Sequence, residues 1–352
     1  MMLAPVVHIL PLTTIRRERT LPVPGRVLVR QGQKVAPRDV IAEAAVTPEH
    51  LLLNVPRSLG VSQKDAETLI QRAVGDEVSE GDLIAGPVGL TRRVLRAPVA
   101  GEIVLIRDGK VLLEVDTPPQ ELRAGMAGIV ADLIADRGAI IETIGALIQG
   151  VWGNGRMEFG LLQNKLESAD GKISSDQIDV SLRGAVVLGG YCDDPKVLRN
   201  AADIPLRGLV LSSMAAALVP LAAKIPFPIL ILRGFGFQPL DVASFKLLTS
   251  NQNREISVNA VAFDRFSGTR PEVVIPLSSA SDPPTPMETE DFAVGQKVRL
   301  VRSAEPNSMG TVEQILEYPA VLPSGLRAAS ARVSLENGGT VTVPLANLEI
   351  LT

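Results

Sequence analysis

The residues best suited to chemistry lie in one stretch, 183–248. Three short apolar runs there (185–188, 208–211 and 228–232) each end in small residues: Gly189-Gly190, Ser212-Ser213 and Gly234-Phe235-Gly236. Small residues at a strand end expose backbone N–H groups, and a helix starting just beyond adds positive potential, which together suit an anion. Arg233 adds a guanidinium able to grip a phosphate or carboxylate through two hydrogen bonds. The candidate ligand-binding set is therefore Gly189, Gly190, Ser212, Ser213, Arg233, Gly234 and Gly236. Plain turn geometry asks for the same small residues, so the set marks a place rather than a ligand.

Other chemistries find less support. Gly234-x-Gly236 lacks the third glycine of a dinucleotide fingerprint, and neither a GxxxxGK[ST] phosphate loop nor a GxSxG elbow occurs. Cys192, near an expected helix start, could be a nucleophile if its thiol pKa fell. No histidine lies near it in sequence and Asp193-Asp194 opposes a thiolate, so a structural or merely accessible thiol is expected. The adjacent aspartates could hold a divalent cation, but at a helix start they read as solvated caps. His8 and His50 with one cysteine do not make a zinc site. No catalytic set, metal or cofactor is expected.

Composition sets the frame. A chain of 352 residues with 46% hydrophobic content suits two or three domains. Aromatics are only 3%, so aliphatic side chains must fill the cores. A net charge of −4 gives no general attraction to nucleic acid or anionic lipid. The amino-terminal charges follow a short apolar run rather than precede it, unlike a secretory signal. The most apolar window, 208–232, is broken by Pro220, Lys224, Pro226 and Pro228, which excludes a membrane span. A cytoplasmic protein with no membrane contact is expected.

Strand, small-residue turn and helix alternate across 183–248, the pattern of a parallel α/β sheet. Asp193 or Asp194, Ser212-Ser213 and Pro239 are the expected helix starts, and the three turns would gather at the carboxyl edge. The expected fold class is multidomain α/β plus β. An N-terminal β scaffold covers 1–150, with a helical insertion near 49–72. A central parallel α/β domain covers 151–277, a linker 278–291 and a small β-barrel 292–352. GVWGNGRMEFG at 150–160 reads as a flexible junction where Trp152 plugs an interface, and 166–179 as a surface loop.

The N-terminal phrases GQKVAPRDVIA, GDEVSEGDLIA and APVAGEIV resemble the turns of the biotinyl/lipoyl-like barrel-sandwich-hybrid family. The resemblance implies that family's β fold. Its carrier lysine sits eight residues before the proline of Ala-Pro; here that position is Leu90, which cannot form the amide, so a rigid scaffold is expected. The C-terminal phrases VGQKVRLV, SMGTVEQI and VTVPLANLEIL resemble KOW-type SH3-like barrels of ribosomal and transcription-elongation proteins, which implies an RNA or protein partner. Across 292–352, Lys297, Arg299, Arg302, Arg327 and Arg332 are balanced by Glu305, Glu313, Glu317, Glu336 and Glu349. Phosphate binding needs clustered cations, and only Phe292 and Tyr318 could stack on bases, so a protein partner is favoured over RNA. The functional expectation is a cytoplasmic adaptor or scaffold that binds a protein. The alternatives are an RNA- or ribosome-associated factor and an enzyme or sensor holding a small anion at the α/β edge.

Overall fold

A computed structural model describes residues 3–45, 48–89, 92–264, 268–279, 283–287, 289–301 and 308–352. Leu90, Arg302 and Glu305 lie outside the described residues, as do 280–282 and 288 of the expected linker. Strands make up 47% of the chain and helices 14%. This overturns the expected α/β class: the protein is mostly β, with several sheets and no substantial central parallel α/β domain. Four parallel strands do form over Met157–Asn164, Ala185–Cys192, Gly208–Met214 and Ile229–Phe235. They belong, however, to one eleven-stranded sheet whose other pairings are antiparallel. The βαβ rhythm is local, whereas the strands that complete this sheet come from 9–20, 34–35, 128–149, 152–153 and 255–276.

Burial on both faces explains why these strands read as unbroken apolar runs. Val187, Leu209, Leu211, Ile229 and Ile231 face one core, shared with the helix Pro195–Asp203. Val186, Leu188, Val210, Leu230 and Leu232 face the other, shared with the helix Val242–Ser250. The expected junction is structured. Trp152–Gly153 pairs with the strand Ile229–Phe235, and Met157–Asn164 lies mid-sheet.

The strand Gly138–Gln149 organises the rest. Ile9–Thr20 pairs along one of its edges. Its other edge is divided between Gly128–Ile134 and Glu272–Pro276. Residues 9–20 and 128–149 therefore share a sheet with 152–276, and position 150 is no boundary. The chain separates instead into Met1–Thr20, Val29–Ile41 and Arg123–Thr352 as one unit, and Leu21–Leu28 with Ala42–Leu122 as the other.

One turn recurs in both units. Gly32 (φ 80°) and Gly75 (φ 92°) occupy the left-handed region that glycine enters without steric cost. Gly32 N–H donates to Val130 O, and Val130 N–H returns a bond to Gln33 O. Gly75 and Ile103 repeat the exchange, with Asp76 in place of Gln33. Ala124 N–H bonds Asp39 O as Ala97 N–H bonds Asp82 O. A Cβ at Gly128 would lie 2.3 Å from Glu142 O, and one at Gly101 would lie 2.1 Å from Glu114 O. Each following hairpin also slips register once, at Val130/Asp132 and Ile103/Leu105. The same strand–turn–hairpin design is built twice, and the second copy is inserted in sequence within the first.

The second unit contains a four-stranded sheet in the order His50–Asn54, Lys110–Val115, Gly101–Arg107, Glu77–Val78. Leu53, Val55, Leu59, Ala66, Ile103, Val111 and Leu113 are among its buried core residues. The expected insertion at 49–72 resolves into the strand His50–Asn54 and two short helices, Val55–Leu59 and Gln63–Leu69.

The C-terminal strands Lys297–Leu300, Met309–Ile315, Ser330–Leu335, Thr340–Pro344 and Leu348–Leu351 join a seven-stranded sheet. The amino terminus completes it. Leu3–Val7 pairs in parallel with Leu348–Leu351 and antiparallel with Thr289–Asp291. His8 fastens this joint, with Nδ1 2.7 Å from Thr352 Oγ1 and Nε2 3.0 Å from Met287 O. Nearby, Glu349 accepts from Arg270 Nη2 (2.8 Å) and from Arg299 Nη2 (2.5 Å). All three side chains are almost fully buried. Burial alone would raise the Glu349 pKa, but the two guanidiniums hold it below the usual glutamate value.

Candidate functional site

The carboxyl ends of the parallel strands do converge, but the nominated residues divide by role. Gly189 and Gly190 lie inside the strand Ala185–Cys192 rather than in a turn. A Cβ at Gly190 would sit 1.7 Å from Gly171 O, whose carbonyl accepts from Tyr191 N–H. The glycine pair therefore admits a neighbouring loop. Ser212 and Ser213 are buried in the strand Gly208–Met214 and do not cap a helix, contrary to expectation. Ser213 Oγ donates to Gln238 O and accepts from Gln238 N–H, which pins the loop after the strand Ile229–Phe235. The helix expected at Pro239 starts at Val242, where Asp241 accepts from Ser244 N–H.

Arg233 is re-aimed by a bulge. Leu211 pairs with Ile231 and Ser213 with Gly234, so the strand Ile229–Phe235 holds one extra residue. Such a slip changes which face the following side chains take. Arg233 enters a cleft of about 720 Å³ with Asp241, Lys297, Glu336, Asn337 and Thr352. Its Nη1 is 3.9 Å from Asp241 Oδ2. Burial lowers its pKa, Asp241 opposes that shift and Arg299 adds to it. Two cations face two carboxylates, so the cleft carries no strong net charge. Among the described residues, three buried side-chain atoms of this segment find no hydrogen-bond partner: Arg233 Nε, Gln238 Oε1 and Ser244 Oγ.

An aromatic group at the same edge escaped the sequence reading. Trp152 meets Phe235 edge-on, with ring centroids 6.2 Å apart, and Tyr191 meets Phe237 at 5.5 Å. Phe237 is 61% exposed, Phe235 38% and the neighbouring Val242 82%. The chain has one Trp, two Tyr and eight Phe, and four of them gather here. Edge-to-face pairs favour this geometry and hold the exposed rings in place. Aromatics at a fixed edge are the usual anchors of protein contacts. The available signal was the placement of Tyr191, Phe235 and Phe237 at the ends of apolar runs in an aromatic-poor chain.

Nucleophilic chemistry at this edge is disfavoured. Cys192 is buried, and burial pushes its thiol up to about 12, far from a thiolate at neutral pH. Asp193 is paired with Lys172 at 2.7 Å, and Asp194 accepts from Lys196 N–H as the helix cap. On the C-terminal sheet, Arg299 is buried against Glu349 and so is withdrawn from phosphate contact, while Arg327 and Arg332 remain exposed. Among the described residues, no helix is long and apolar enough to cross a membrane. No protein-family model and no curated protein matches the chain.

Proposed function

We propose that the protein is a cytoplasmic adaptor that holds a protein partner at the carboxyl edge of its parallel strands. The observation that carries this reading is the exposed aromatic pair Phe235 and Phe237, braced by Trp152 and Tyr191. The C-terminal sheet acts as a brace, joined to the large sheet through the Arg270–Glu349–Arg299 contacts and to the amino terminus through His8. The recurring glycine turns support the scaffold role suggested by the barrel-sandwich resemblance.

The test is affinity capture from native lysate, with and without nuclease, using wild type and a Phe235→Ala/Phe237→Ala variant. One stoichiometric protein, resistant to nuclease and absent from the variant, is the expected result. Loss on nuclease treatment moves the weight to the RNA-associated reading. Equal capture by the variant overturns the proposed edge.

A second reading rests on the unpartnered Arg233 Nε, Gln238 Oε1 and Ser244 Oγ: a small anion held beside Arg233. A thermal-shift series with phosphate, sulfate and carboxylates tests it. Stabilisation that disappears in Arg233→Ala supports the anion reading, and no stabilisation by any of them removes it.

A further inference from the structure

The outer face of the four-stranded sheet in the second unit carries three cross-strand rows. His50, Glu114, Glu102 and Glu77 oppose one another in the first row. Leu52, Leu112 and Leu105 form the second, and Asn54, Lys110 and Arg107 the third. Alternation sends Leu53, Val111, Leu113 and Ile103 inward, so these three rows face outward. Leu52 remains 56% exposed and Leu105 48%. His50 Nε2 lies 3.2 Å from Glu114 Oε2 within the row, but the like charges directly opposite each other at Glu77–Glu102 and Glu102–Glu114 destabilise a sheet and favour further cations from a partner.

The geometry points to a second copy of this chain as the occupant. Consider two such faces packed against each other about a two-fold axis running across the strands along the leucine row. The leucines then meet leucines, while each acidic row meets the partner's basic row. Glu114 faces the partner's Lys110, and Glu102 faces the partner's Arg107. The face is therefore complementary to itself in charge, as an isologous contact requires. A two-fold axis along the strands would instead place acid on acid. Five residues at about 3.3 Å by three strands at about 4.8 Å give a face smaller than the ~800 Å² per partner of a stable complex. The association is thus weak and concentration-dependent.

Sedimentation velocity of the full chain, from about 1 to 200 μM, tests the proposal. Wild type should move from the 37.4 kDa chain mass towards twice that value as concentration rises. Each reversal, Lys110→Glu or Glu114→Lys, acts at both symmetric contacts and should weaken association about tenfold or more. The double variant Lys110→Glu/Glu114→Lys should recover it, which simple damage to the fold would not do. Leu52→Asp should abolish association, with a thermal melt confirming an intact fold. A wild type that stays monomeric at every concentration overturns the proposal, and so does a double variant no better than the single ones.

Discussion

Replacing Glu349 with Gln removes the charge that separates two buried guanidiniums and keeps the shape of the side chain. In the native protein its carboxylate accepts three hydrogen bonds, from Arg270 Nη2, Arg299 Nη2 and Arg299 Nε. A glutamine oxygen can serve one arginine, but its amide then points a donor at the other donor. Breaking a buried pair in this way costs about 3–5 kcal/mol, because an uncompensated charge stays in the interior. With a urea slope of about 3 kcal/mol/M, the midpoint should fall by about 1 M or more. Trp152, the only tryptophan, lies in the same unit and reports the transition by fluorescence. As a control, Arg16→Ala breaks the exposed Arg16–Glu142 pair and should cost less than about 1 kcal/mol. Because the fold depresses the Glu349 pKa, its stabilisation is present above the ordinary value of 4.5 and is lost as pH falls below it. The gap between wild type and Glu349→Gln should therefore close in acid. A Glu349→Gln midpoint within error of wild type, or no larger a loss than in the control, would refute the reasoning.

Two further predictions concern stability. The pKa of His8 is lowered from 6.5, first by burial, with Arg17 and Arg270 adding to the shift and the Met287 carbonyl and Glu272 opposing it. The neutral ring is the folded form, so stability should be full above pH 6.5 and decline below it, and His8→Gln should flatten this dependence in urea melts between pH 8 and 5.5. Gly190→Ala should cost about 1–3 kcal/mol or more, since its Cβ would strike the Gly171 carbonyl. Gly189→Ala should cost less, because its nearest clash is the movable tip of Ile173; equal thermal shifts for the two would contradict the close-approach account.

Much of the local design was legible in the sequence. The runs ending at Leu188, Leu211 and Leu232 became strands. The repeated phrases at 32–42 and 75–85 signalled the duplicated turn. Long-range pairing was hidden. Nothing near Leu3–Val7 announces a partner strand at Leu348–Leu351, and nothing near Gly138 shows that one strand edge serves two neighbours. The structural roles of the small residues at the edge were hidden for a related reason. Small residues at Gly189, Gly190, Ser212 and Ser213 answer to close backbone approach and to the Gln238 loop, demands set by tertiary neighbours. Arg233 ends an apolar run that the sequence shows, but the bulge that turns it into the cleft depends on strand register.

The central claim, a protein partner at the aromatic edge, is tested most directly by photo-crosslinking. A benzoylphenylalanine at position 237, irradiated in nuclease-treated native lysate, is compared with the same probe at the exposed Tyr318. The account predicts one discrete protein adduct from position 237 and none from 318. No protein adduct at 237, or adducts only at 318, would contradict it.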